Sequence, residues 1–182
     1  MYGLWNMRAF ACLVFPPALA LLVWFSVRKG EKGARWIATG AVAGILAAVA
    51  YDLFRLPFVL NGIPLFKVFP RFGEMLLGAT EPRWLVQMFG WTYHFSNGAA
   101  LGVMFLALVS RPSPRNLFWG AVLFALGVEL ILLCTPYPRF FGLALDQKFI
   151  VLTLSAHLVF GIALGILCRR KAAELAAQPL PP

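Results

Sequence analysis

Long apolar runs of about twenty residues alternate along this chain with short stretches rich in basic residues, proline and glycine. A helix needs about 20 apolar residues to cross a hydrocarbon core. The runs predict five such helices, at about residues 10–27, 36–58, 84–110, 117–136 and 149–168. Pro16-Pro17 is expected to kink the first. Residues 59–83 fit no span: prolines and glycines break them up, yet they are too apolar for water. Ile63, Leu65, Phe66, Val68, Phe69, Phe72, Met75 and Leu76 are expected to lie in the membrane interface, with Lys67, Arg71 and Glu74 toward headgroups. The segment reads as an interfacial connector or a re-entrant cap. The fold class is an all-α, polytopic transmembrane bundle forming one domain over residues 1–171, with a disordered cytoplasmic tail at 172–182.

Four ionisable side chains interrupt four of these runs: Asp52, His94, Glu129 and His157. Each such group costs about 2.5–3.5 kcal/mol at a helix centre on insertion scales. At 1.5 Å rise per residue they fall roughly 9–15 Å inside the outer ends of their spans. That places all four in one leaflet. Helical spacing also turns them one way. Gly40, Gly44, Ala48, Asp52 and Arg55 share a stripe, as do Gly90, His94, Gly98 and Gly102; Ala121, Ala125 and Glu129; and His157, Gly161 and Gly165. Small residues mark close helix contacts in membranes, so Gly40, Gly44, Gly98, Gly102, Gly161 and Gly165 are expected at helix–helix contacts. The ionisable groups would then look into the bundle.

Composition fits this picture. The chain has 182 residues, 61% of them hydrophobic and 13% charged, against about 25% charged in soluble domains. Lipid is therefore the expected partner. The net charge of +9 would point to nucleic acid in a soluble protein. Here the basic residues sit mostly between apolar runs, so they report topology and anionic headgroups, with no nucleic-acid partner. Arg28 to Arg35, Arg111 to Arg115 and Arg169-Arg170-Lys171 share one side if there are five spans. That side is expected to be cytoplasmic, with the N-terminus out and the C-terminus in. Cys12, Cys134 and Cys168 form no CxxC pair and read as small packing residues.

Two imidazoles and two carboxylates have more than one chemical reading. They are a ligand set for a divalent metal ion such as zinc, iron or manganese, centred on His94 and His157, with Asp52 or Glu129 completing or orienting it. Asn97, Tyr51, Tyr93 and Arg55 would supply supporting contacts. The two histidines could instead be axial ligands of a b-type haem. Asp, Glu and His at membrane depth are also the usual proton-relay groups. Asp52 and Arg55, at i,i+3, can pair with each other. In a structural reading, the cluster fixes helix packing in an accessory subunit of a homo-oligomer or larger membrane complex. No HExxH, phosphate loop or GxSxG elbow is present, so no reaction or catalytic residue is assigned.

Gly40-Ala-Val-Ala-Gly44 ahead of Asp52, Tyr93-His94-Phe95, Trp119-Gly120 and Ala156-His157-Leu158 resemble the YagU-type inner-membrane proteins of unknown function over roughly residues 36–168. The resemblance implies a small bacterial inner-membrane protein and carries no reaction with it.

Overall fold

The computed structural model describes residues 7–109 and 113–171, all helix, turn or irregular segments with no strand among them. The helices are α1 (Met7–Leu60), α2 (Val68–Leu77), α3 (Arg83–Leu108), α4 (Pro114–Cys134), α5 (Tyr137–Phe140) and α6 (Gln147–Arg170). Among the described residues, three segments are long and apolar enough to cross a membrane: Gly30–Leu60, Pro114–Cys134 and Gln147–Arg170. The expected disordered tail at 172–182 lies outside the described residues.

The first two expected helices are joined differently from the sequence expectation. Helical dihedrals continue through Pro16 and Pro17, and the one non-helical residue inside α1 is Gly30 (φ 59°, ψ −147°). Arg28, Lys29, Lys32 and Arg35 are good helix formers, and Arg35 pairs with Glu31 at 2.8 Å one turn away. The basic stretch therefore stays helical on both sides of the break. Gly30 takes a positive φ that a side chain would resist.

Two other helix starts have local causes. Ser113 caps α4 by accepting from the Asn116 amide at 3.2 Å, with Pro114 in the first turn. Asp146 caps α6 by accepting from the Phe149 amide at 2.7 Å. Helix α4 stops at Cys134, because Thr135, ahead of Pro136, has turned to extended backbone (φ −96°, ψ 172°).

The segment expected to lie in the membrane interface is instead folded onto the protein. Helix α2 packs along α3 with two glycines at the contact: a Cβ on Gly73 would stand 1.9 Å from the Val86 carbonyl oxygen, and one on Gly90 2.0 Å from that of Phe69. Leu65, Val68 and Phe69 are buried in protein, while Lys67 and Arg71 are exposed. Arg71 pairs with Glu74 at 3.0 Å on the outer face. The amphipathic pattern is real, but its apolar side finds α3 before lipid.

Packing runs α2 on α3, α3 on α1, α1 on α6 and α6 on α4. The α1–α3 crossing is backbone on backbone. A Cβ on Gly44 would reach within 2.0 Å of the Gly98 carbonyl oxygen, and one on Gly102 within 2.0 Å of that of Gly40. In the α4–α6 crossing, Gly161 faces Ala121, Val122 and Ala125, and Gly165 faces Phe118. Phe105 of α3 meets Phe124 of α4 at 5.8 Å, bringing the ends of the array together. The core collects Trp36, Ala47, Phe105, Leu117, Ala121, Leu164 and Cys168, while large apolar residues such as Leu53, Leu123, Ile131 and Val151 face outward. An apolar exterior of this kind matches lipid as solvent.

Candidate functional site

The close α1–α3 crossing sets the first half of the site. Asp52 lies two turns beyond Gly44, and His94 one turn before Gly98. With the backbones touching, Asp52 Oδ2 comes to 2.8 Å from His94 Nε2. Asp52 also faces Arg55 on its own helix, Oδ1 to Nη1 at 3.6 Å. Arg55 is 7% exposed and Asp52 9% exposed, so this ion pair is screened little by water. The guanidinium donates through Nη2 to the Leu65 carbonyl. Three rings surround it: Tyr51 at 4.7 Å, Phe66 at 5.0 Å and Phe69 at 5.6 Å. Asp52 Oδ1 has no hydrogen-bond donor, because Arg55 spends its closest contact on Leu65. The acid is therefore held by one imidazole and one offset cation.

The α4–α6 crossing sets the second half. Glu129, 4% exposed, accepts from the Thr153 hydroxyl at Oε1 (2.7 Å) and faces His157 Nδ1 at Oε2 (3.2 Å). His157 Nδ1 also lies 3.1 Å from the Thr153 carbonyl oxygen. A carbonyl can only accept, so Nδ1 carries a proton, and in the neutral ring Nε2 then holds the lone pair. Thr153 thus touches both members of this pair, Glu129 through its hydroxyl and His157 through its carbonyl.

Tyr51 joins the halves. Its ring centre is 6.1 Å from that of His94 and 5.0 Å, edge on, from that of His157. A path of polar contacts thus runs from Thr153 through Glu129 to His157, and the Tyr51 ring links that group to the Asp52–His94 pair. His94 is sandwiched further by Phe69, 4.3 Å away and tilted 32°.

These groups surround a cavity of about 260 Å³. His94, Glu129, His157, Tyr51, Tyr93, Arg55 and Asn97 line it, while Asp52 sits behind His94. Phe69, Phe72, Phe141, Phe149 and Phe160 supply aromatic wall. Phe72 stacks on Tyr93 at 4.6 Å and on Phe141 at 5.0 Å, so α2 and the turn after α5 cover the cavity together. Lys67 ties the same turns by donating to the Gly142 carbonyl at 2.9 Å.

The single four-residue metal cluster expected from sequence is not what forms. Among the described residues, no three His, Cys, Asp or Glu side chains converge as a ligand group. Each carboxylate instead takes one imidazole as its partner, Asp52 through a hydrogen bond to His94 and Glu129 with His157 Nδ1 at 3.2 Å, giving two pairs on separate helix crossings. The haem arrangement also lacks its geometry, because the Tyr51 ring packs against both imidazoles where a macrocycle would have to lie.

Three contributors escaped the sequence reading. Thr153 sits one turn before His157 on the same stripe, and that spacing was the available signal. Phe69 and the Leu65 carbonyl come from the segment between α1 and α3, where no periodicity pointed inward. No protein-family model, curated protein or solved structure matches the chain.

Proposed function

We propose that this is a multi-span membrane protein whose buried cavity exchanges and relays protons through two imidazole–carboxylate pairs. The observation that carries the reading is the joined set Thr153–Glu129–His157, with the Tyr51 ring between His157 (5.0 Å) and the His94 of the Asp52–His94 pair (6.1 Å). Hydroxyl, carboxylate and imidazole groups in contact, inside a bundle with an apolar exterior, are the components of a relay. Proton traffic is favoured over metal binding because, among the described residues, no three ligating side chains converge.

The proposal extends to topology. Helix α3 has 26 residues, which at 1.5 Å each span about 39 Å, longer than the ~30 Å hydrocarbon core. Counting α3 and residues 7–29 with the three apolar segments gives five spans. Arg169, Arg170 and Lys171 at the end of α6 would mark the cytoplasmic side of a bacterial inner membrane, with the N-terminus out. Kinship with the YagU-type proteins is part of the same proposal and rests on the sequence runs alone.

Reconstitution tests it. Proteoliposomes carrying an internal pH dye should show proton flux above protein-free vesicles, reduced at least tenfold by Glu129→Gln or His94→Gln. Flux equal to protein-free vesicles, or unchanged by both substitutions in folded protein, would overturn the reading.

A further inference from the structure

The cavity also has the features of a ligand site, and three of them limit what it accepts. The first is charge. Asp52 is matched by Arg55 and His94, and Glu129 accepts from Thr153 at Oε1 and has His157 Nδ1 3.2 Å from Oε2. Arg55 is turned toward the Leu65 carbonyl. Asp52 sits behind His94 and does not line the cavity, while Glu129 and Arg55 both do and offset each other in charge, so a neutral ligand fits.

The second feature is shape and surface. At about 260 Å³ the cavity is near the lower end of small-molecule pockets, which begin at about 300 Å³. Phe69, Phe72, Tyr93, Phe141 and Phe160 line it. Flat rings stack on such walls.

The third is polarity at the reacting edge. His157 spends Nδ1–H on the Thr153 carbonyl and Glu129, and Nε2 has no protein partner among the described residues. His157 lines the cavity, so this lone pair is offered to whatever enters. A ligand that donates a hydrogen bond satisfies it; one that only accepts leaves it unpaired.

Resting on the relay reading, we propose that the cavity binds a neutral aromatic alcohol of the phenol or hydroquinone class, whose O–H donates to His157 Nε2. The bound hydroxyl is thereby joined through His157 to Glu129 and Thr153. The corresponding quinone, whose carbonyl oxygens can only accept, finds donors in Tyr93 and Asn97 but leaves His157 Nε2 unpaired.

Calorimetric titration of the full chain in nanodiscs tests this with three probes: a short-alkyl hydroquinone kept reduced, its quinone, and bare hydroquinone. Saturable binding of the reduced alkyl probe is expected, about tenfold or more tighter than the quinone. His157→Phe, with unchanged helical circular dichroism, should lose at least tenfold in affinity. Equal affinity for the two redox forms overturns the proposal, and that comparison needs no variant. So does undiminished binding by His157→Phe. Tighter binding of the alkylated than the bare hydroquinone supports the proposal with a ligand drawn from the membrane; equal binding supports it with one drawn from water. Proton flux that is lost in Glu129→Gln, together with no hydroquinone binding, removes the ligand and leaves the relay standing. Flux insensitive to both Glu129→Gln and His94→Gln removes the relay and this inference with it.

Discussion

Substituting Gly44 by alanine probes the contact on which the first half of the site depends. The added Cβ would stand 2.0 Å from the Gly98 carbonyl oxygen, against 3.4 Å for ordinary contact, so α1 and α3 must part by about 1.4 Å. The obstacle is backbone, which no rotamer change removes. Overpacking of this kind costs about 1–3 kcal/mol, and a rigid neighbour puts it at the upper end. Alanine returns up to about 1 kcal/mol as the better helix former. The net expectation is destabilisation by about 2 kcal/mol. Gly127 is the control. It lies within α4 with nothing inside 4 Å of its Cβ position, so Gly127→Ala keeps only the propensity gain and should be neutral or slightly stabilising. Unfolding in mixed micelles by dodecyl sulfate titration, followed by circular dichroism, measures both. Opposite signs are predicted. A Gly44→Ala protein as stable as the parent, or equal losses at the two positions, would refute the close-contact argument. Since Asp52 and His94 flank the same crossing, Gly44→Ala should also lengthen their 2.8 Å contact and shift the His94 ring nitrogen resonances.

Removing one partner of a buried ion pair is costlier than removing both. Arg55→Leu should destabilise the fold by about 3–5 kcal/mol, and adding Asp52→Asn should recover a large part, as measured by the same titration. Thr153→Val keeps the shape of the side chain but removes the hydroxyl bonded to Glu129, and should cost about 1 kcal/mol while lowering proton flux. Asp146→Ala deletes the α6 cap, with an expected loss of about 1 kcal/mol and no change in flux.

The apolar runs and small-residue stripes were legible because both follow directly from helical period and lipid solvation. The i,i+3 spacing of Asp52 and Arg55 announced a pair, and the two stand 3.6 Å apart. What the spacing could not give was which helix meets which. Asp52 faces His94 because Gly44 rests on Gly98, whereas Glu129 faces His157 because Gly161 rests on Val122. Inward-facing stripes leave that choice open, so one four-residue cluster and two separate pairs read alike in sequence. The segment after α1 was harder still. Its apolar face suits an interface and a protein surface equally, and only Gly73 and Gly90, by allowing α2 against α3, decide for protein. Phe69 enters the site through that decision.

The account turns on the position of one proton. Nitrogen-15 spectra of His157 in lipid bilayers report it. The account predicts a neutral ring protonated at Nδ1, with an unprotonated Nε2 and a resonance pattern altered by Glu129→Gln. A ring protonated at Nε2 alone, unaffected by that substitution, would disconnect His157 from Glu129 and contradict both the relay and the ligand it is proposed to hold.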